Sequence, residues 1–234
     1  MLETKNLNAG YGNLQILYDI SFKVREKRIT SIVGPNGSGK STLLKTIIGL
    51  TRVYSGEIIY EENEISKVPP HKRVAMGIAY LPQTESVFTS LTIHENFIIS
   101  GYLLDKDNVQ NKINDLLDFF PPLKPYIDKK VWKLSGGERQ MVALAMALMR
   151  DPKIIMFDEP CSNLAPKLMN EVMDTIRTLN QELGITIILV EQNVTEALSI
   201  SDTAYLLVSG RMEFEGGANE LLNHPDLRKL YLGV

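Results

Sequence analysis

Residues 29–42 read ITSIVGPNGSGKST: a β-rich run, three glycines within six positions, then a lysine and two hydroxyl residues that open the helical pattern LLKTIIGL. The octet GPNGSGKS, residues 34–41, fits G-x-x-x-x-G-K-[ST] in the strand–loop–helix setting that this spacing requires. A strand that empties into such a loop commits the chain to an α/β fold, with the loop at the C-terminal edge of the sheet. Gly34, Gly37 and Gly39, with Pro35, Asn36 and Ser38 between them, let the backbone turn tightly and aim N–H groups at phosphate oxygens. Lys40 is placed to reach the β- and γ-phosphates of a nucleotide, Ser41 to ligate Mg²⁺, and Thr42 to hold the α-phosphate from the helix start.

The rest of the chain supports that architecture. Apolar runs at 77–81, 153–157, 185–190 and 203–208 lack polar alternation, as expected of strands covered on both faces of a parallel sheet. Leu168, Val172, Ile176, Leu179 and Leu183 recur at three- and four-residue steps and predict a helix over 167–183. Short strand patterns at 2–8, 16–24 and 56–60 predict an antiparallel edge. Residues 91–132 interrupt the alternation. There Val109, Ile113, Leu116, Leu117 and Phe120 form a helical stripe that prolines 121, 122 and 125 end, so a mostly helical lobe is expected. The 234 residues, 44% hydrophobic, suit one domain with that lobe inserted.

Composition narrows the partners. A net charge of −3 argues against nucleic acid, whose phosphates need a basic face. The single cysteine, Cys161, cannot form an internal disulfide, which points to a reducing compartment. The start LETKNLNAGYG is too polar for a signal peptide. No apolar stretch approaches the roughly 18–20 residues of a membrane span, and GERQMVALAMALM, 137–149, comes nearest.

Two further motifs carry chemistry. KIIMFDEP, 153–160, delivers Asp158 and Glu159 to the end of an apolar strand, where open α/β sheets keep their sites. Asp158 fits an Mg²⁺ aspartate; Glu159, one step on, points elsewhere and could polarise an attacking water. Alone the pair is a weak signal, but a glycine loop on the same sheet makes it a strong one. KLSGGERQM, 133–141, sets Ser135, Gly136 and Gly137 at a helix start, where N–H groups favour an anion. Ser135 with Glu138 is also a capping box, and both readings can hold together.

GPNGSGKS, Gln83 in YLPQ, LSGGE and IIMFDEP, in that order, resemble the ATP-binding subunit of an ABC transporter almost end to end. EPCSNLAP, LVEQN and the closing YLGV look most like the ATPases of branched-chain amino acid uptake systems. The resemblance implies a P-loop NTPase (RecA-like) core with a mostly parallel sheet, an antiparallel β edge and a helical lobe. It implies binding of ATP and Mg²⁺, with hydrolysis at two sites closed between two ATPase subunits. Each LSGGE would cover the γ-phosphate held by the other subunit, which would be the same chain or a related one. Transmembrane permease subunits would be the other partners, on the inner face of the cell membrane, and the transported substrate would never touch this chain.

Single positions follow from the same likeness. Tyr11 in AGYGN matches an adenine-stacking aromatic, Gln83 a residue that senses Mg²⁺ and the water, and Ser162 to Ala165 a loop across the dimer interface. Many family members carry aspartate where Ala165 stands, so that contact is absent here. Gln192 replaces the usual γ-phosphate histidine; it can donate one hydrogen bond but carries no charge. None of His71, His94 and His224 lies near a motif. The rival reading is a non-transport ABC ATPase. Repair-type relatives would need a long coiled coil between GPNGSGKS and LSGGE, and translation-type ones a second ATPase domain and a basic linker; this sequence has neither.

Overall fold

The computed structural model of the chain describes residues 1–223 apart from 85, 103 and 163, and only the backbone of 106 and 107. Asn163, His224 and the closing YLGV lie outside the described residues.

All five expected parallel strands form: β3 (Ile29–Val33), β6 (Ile78–Leu81), β7 (Ile154–Asp158), β8 (Thr186–Val190) and β9 (Thr203–Val208). With the antiparallel edge strand β10 (Arg211–Gly217) they make a six-stranded sheet in the order β10-β9-β3-β8-β7-β6. Every residue of β3, β7 and β8 is buried, which is why those strands read as unbroken apolar runs. Since β3 and β7 both pair in parallel with β8, their C-terminal ends open on the same edge. That edge carries the glycine loop and the acidic pair.

The antiparallel sheet has the order β2-β1-β4-β5, from β1 (Leu2–Tyr11), β2 (Leu14–Val24), β4 (Arg52–Tyr60) and β5 (Asn63–Glu64). Its strands run further than the apolar pattern predicts. The pairing of β1 with β2 shifts register between Thr4 and Leu7, and Asn6 and Asp19 take positive φ, so the pattern breaks while the ladder continues.

Helix α1 (Lys40–Ile48) follows the glycine loop, and Gly49 at φ 90° ends it. The short α2 (Pro70–Ala75) brings Arg73 to that end: 2% exposed, its guanidinium donates to the carbonyls of Thr46 (2.9 Å), Ile47 (2.6 Å), Ser66 (2.9 Å) and Val68 (2.7 Å). Burial pulls its pKa down to about 10, still far enough above neutral for a cation, and the carbonyls, two of them at the α1 C-terminus, offset its lost hydration. Arg73→Met strands those carbonyls. Urea unfolding should show a loss of about 3 kcal/mol.

The lobe contains α3 (Ile93–Ser100), which the Thr92–Glu95 capping box starts, and α4 (Lys106–Phe119), followed by 3₁₀ turns at Pro121–Tyr126 and Val131–Lys133. Its Phe97, Ile113, Leu116 and Phe120 join one apolar cluster with residues of α5 (Gly136–Leu148) and α6 (Pro166–Leu183). Along α6 the buried stripe is Val172, Met173, Ile176 and Leu179; Leu183, expected to continue it, is 50% exposed because the last turn runs past the core. Helices α7 (Val194–Ser199) and α8 (Ala218–Leu222) pack on each other, α7 against β3 and α8 against β9 and β10. Among the described residues no helix is long and apolar enough to cross a membrane.

Candidate active site

The glycine loop leaves β3 with its backbone pressed against β9: a Cβ at Gly34 would stand 2.0 Å from the Leu207 carbonyl oxygen. Gly39, the residue before α1, sits at φ 106°, where any side chain is strained. The loop opens onto a cavity of about 290 Å³ lined by Ile16, Asn36, Gly37, Gly39, Lys40, Ser41, Thr42 and Glu159. Lys40 is 4% exposed and its Nζ donates to the carbonyls of Gly34 (2.8 Å) and Pro35 (3.0 Å). Burial lowers its pKa, and the nearby Glu159, Asp158 and Glu191 oppose that shift. Ser38 Oγ is buried without a hydrogen-bond partner among the described residues. A hydroxyl left so is costly, and an incoming phosphate oxygen is the kind of acceptor that satisfies it. The loop fits a nucleotide on that ground.

Asp158, 3% exposed at the end of β7, accepts from Ser41 Oγ (2.8 Å) on one oxygen and from the Tyr80 hydroxyl (2.9 Å) on the other. Burial and the Asp158 charge raise the Tyr80 pKa, so this phenol stays a donor. A tyrosine inside an apolar strand carries no mark of that role in the sequence.

Glu159 follows at φ 51°, a left-handed conformation that costs a non-glycine residue about 1–3 kcal/mol. Its N–H extends the ladder by one bond to the Val190 carbonyl (2.9 Å). The turn sends its side chain away from that of Asp158. Glu159 Oε2 accepts from Gln83 Nε2 at 2.7 Å and from Gln192 Nε2 at 2.8 Å, and Gln83 also donates to Ser162 Oγ at 3.1 Å. Residues expected from three distant motifs thus meet on one carboxylate oxygen. A neighbour that motif spacing does not mark is Glu191, 3% exposed and bonded to the backbone N–H of Cys161 and Gln192.

Tyr11 ends β1 at 44% exposure, opposite Leu14 across a hairpin whose turn the Tyr54 hydroxyl fixes by donating to the carbonyls of Gly12 (3.0 Å) and Leu14 (3.1 Å). Ser135, Gly136 and Gly137 open α5 with a complete capping box: Ser135 N–H to Glu138 Oε2 (2.7 Å) and Glu138 N–H to Ser135 Oγ (3.3 Å). Gly137 lies against Leu168 of α6, where a Cβ would come within 2.7 Å. The described lining of the nucleotide cavity includes none of these three residues. Ser135 and Gly136 face solvent.

Strand, glycine loop, helix and a strand-end acidic pair define a P-loop nucleoside triphosphatase. The ABC transporter family profile matches residues 17–162. A probable branched-chain amino acid transport ATP-binding protein, LivF, of Archaeoglobus fulgidus is 52% identical over 234 residues, covering 100% of this chain and 99% of that protein. Among solved structures, the ADP conformation of MJ1267, an ATP-binding cassette of an ABC transporter, superposes with a TM-score of 0.90 at 28% identity, over 100% of this chain and 99% of that one. The dimeric post-hydrolysis state of the cassette MJ0796, bound to ADP and Pi, does so with a TM-score of 0.81 at 25% identity, over 93% and 99%. The chain belongs to the ABC transporter family, as an ATP-binding and ATP-hydrolysing cassette.

Proposed function

We propose that the chain powers import of branched-chain amino acids as one of two ATPase subunits that close around two ATP molecules. Residues 1–234 act as one ATPase domain with a helical lobe at about 91–132. The observation that carries the reading is a phosphate-seeking helix start whose Ser135 and Gly136 face solvent apart from the chain's own cavity, with Gly137 buried behind them. Having donors but no lysine, it completes a site on a partner. The dimeric MJ0796 cassette supports that arrangement, and the LivF relative's name supports the cargo. Transport-system relatives favour this over a non-transport ATPase.

Ser41, Gln83 and Asp158 are the residues that would hold Mg²⁺, all through oxygen. Such a donor set suits an ion otherwise held by phosphates and water, and among the described residues there is no all-protein cage. When bound, Mg²⁺ neutralises charge developing on the β- and γ-phosphates. Lys40 and the N–H groups of the loop hold the phosphates, while Tyr11 stacks on adenine. Glu159 takes a proton from the attacking water as the water oxygen bonds the γ-phosphorus. The bond from that phosphorus to the bridging oxygen breaks, and ADP leaves with the electron pair. Gln83 and Gln192 hold the Glu159 carboxylate in place for this step.

The chain works on the cytoplasmic, inner face of the cell membrane, against transmembrane permease subunits, and touches neither nucleic acid nor the amino acid carried. The lobe offers a mostly apolar groove of about 360 Å³ between α3 and α4, where Ile98 and Tyr102 are exposed, and this is where the permease docks. The test is the solution mass of Glu159→Gln with and without Mg·ATP. A monomer that becomes a dimer only with ATP is expected. A variant that binds ATP and stays single would overturn self-pairing and demand a different ATPase partner.

A further inference from the structure

We infer that Glu191 is a positioning residue for hydrolysis, a buried carboxylate that staples the loop after β7 to the loop after β8. The inference rests on the reading of Glu159 as the base. Asp158 pairs with Val190 at the ends of the two strands, so Glu159 and Glu191 are the next residues of each and emerge side by side. Glu191 turns inward, to 3% exposure. Its Oε1 accepts the Cys161 N–H at 2.8 Å and its Oε2 the Gln192 N–H at 3.1 Å, while the Cys161 thiol points to the Met169 carbonyl at 3.8 Å.

Those contacts fix both sides of the base at once. On one side, Cys161 stands between Glu159 and Ser162, whose hydroxyl meets Gln83. On the other, Gln192 is held at its backbone while its side chain reaches Glu159 Oε2. Burying a carboxylate beside a second one is unfavourable, both through desolvation and through the Glu159 charge, and the hydrogen bonds offset this. An apolar residue would fill the space at less cost. What it could not do is bind two N–H groups on two loops with one rigid group.

The experiment compares ATP turnover in Glu191→Gln, Glu159→Gln and the double variant, with ATP affinity and thermal unfolding measured on each. Glu191→Gln keeps the shape but turns an N–H toward one of the two backbone donors, so one loop is released. A kcat about 10–100-fold lower, with KM for ATP and ATP affinity within about twofold of the parent, is expected. In the Glu159→Gln background the same change should cost nothing further, because a residue that acts through Glu159 has nothing left to position. If Glu191→Gln does not stay folded, Glu191→Asp, which keeps the charge but not the reach, decides the matter by the same comparison. Parental turnover in Glu191→Gln, or an equal further loss in the double variant, overturns the positioning role while leaving Glu159 as base. Parental turnover in Glu159→Gln overturns both.

Discussion

Glu159→Gln should still bind ATP while hydrolysing it about 10²–10⁴-fold more slowly than the parent. Glutamine matches glutamate in shape, so it can occupy the left-handed position at φ 51° and keep the ladder bond to Val190. It loses the negative oxygen on which Gln83 and Gln192 converge, and with it the acceptor for the water's proton. Binding is spared because the nucleotide is gripped by the loop N–H groups, Lys40 and Ser41. Removing a carboxylate that faces the γ-phosphate should, if anything, tighten ATP. Steady-state phosphate release, read against ATP affinity by equilibrium titration, checks both halves. Unchanged turnover would remove Glu159 from the mechanism.

Lys40→Ala should fail in the other way, losing affinity and rate together, with kcat lower by about 10²–10³-fold. The lysine is the one cation among the described residues lining the cavity, 4% exposed and desolvated, so its charge acts on phosphate through little water. Its ammonium donates to two carbonyls of its own loop, and neither bond ties one element to another. Alanine should therefore leave the far-ultraviolet circular dichroism spectrum unchanged. Arginine is not a conservative rescue, since a planar guanidinium does not fit where a compact ammonium ends. A variant that kept parental affinity would mean that backbone N–H groups alone hold the phosphates.

How far the sequence carries depends on whether a role is local or long-range. The strands ITSIV, IIMFD and TIILV are legible because burial on both faces removes every charge from them. The strand RMEFEGG was missed for the opposite reason: as an edge strand it alternates exposed charges with half-buried residues and resembles a turn. Motif order located the glycine loop, Asp158 and Glu159, and singled out Gln83 and Gln192 far apart in the chain. Tyr80 and Glu191 stand inside the quoted YLPQ and LVEQN, but nothing local marks what either does. The first meets Asp158 from 78 positions away and the second meets Cys161 from 30, and no local pattern records either contact.

The six-stranded sheet divides its apolar residues between two cores. Ile155, Phe157, Ile187 and Leu189 pack on the side of the helical lobe, whereas Ile154, Met156, Ile188 and Val190 pack on the side of the antiparallel sheet. The strands that end at Glu159 and Glu191 are thus a party wall, and neither room can be emptied while the wall stands. Heat or denaturant has no partial route through this chain that spares chemistry: damage to either core arrives at the same two strand ends. Loss of fold and loss of catalysis then become a single event, and a subunit in the cell is either competent or ready for disposal, with little in between.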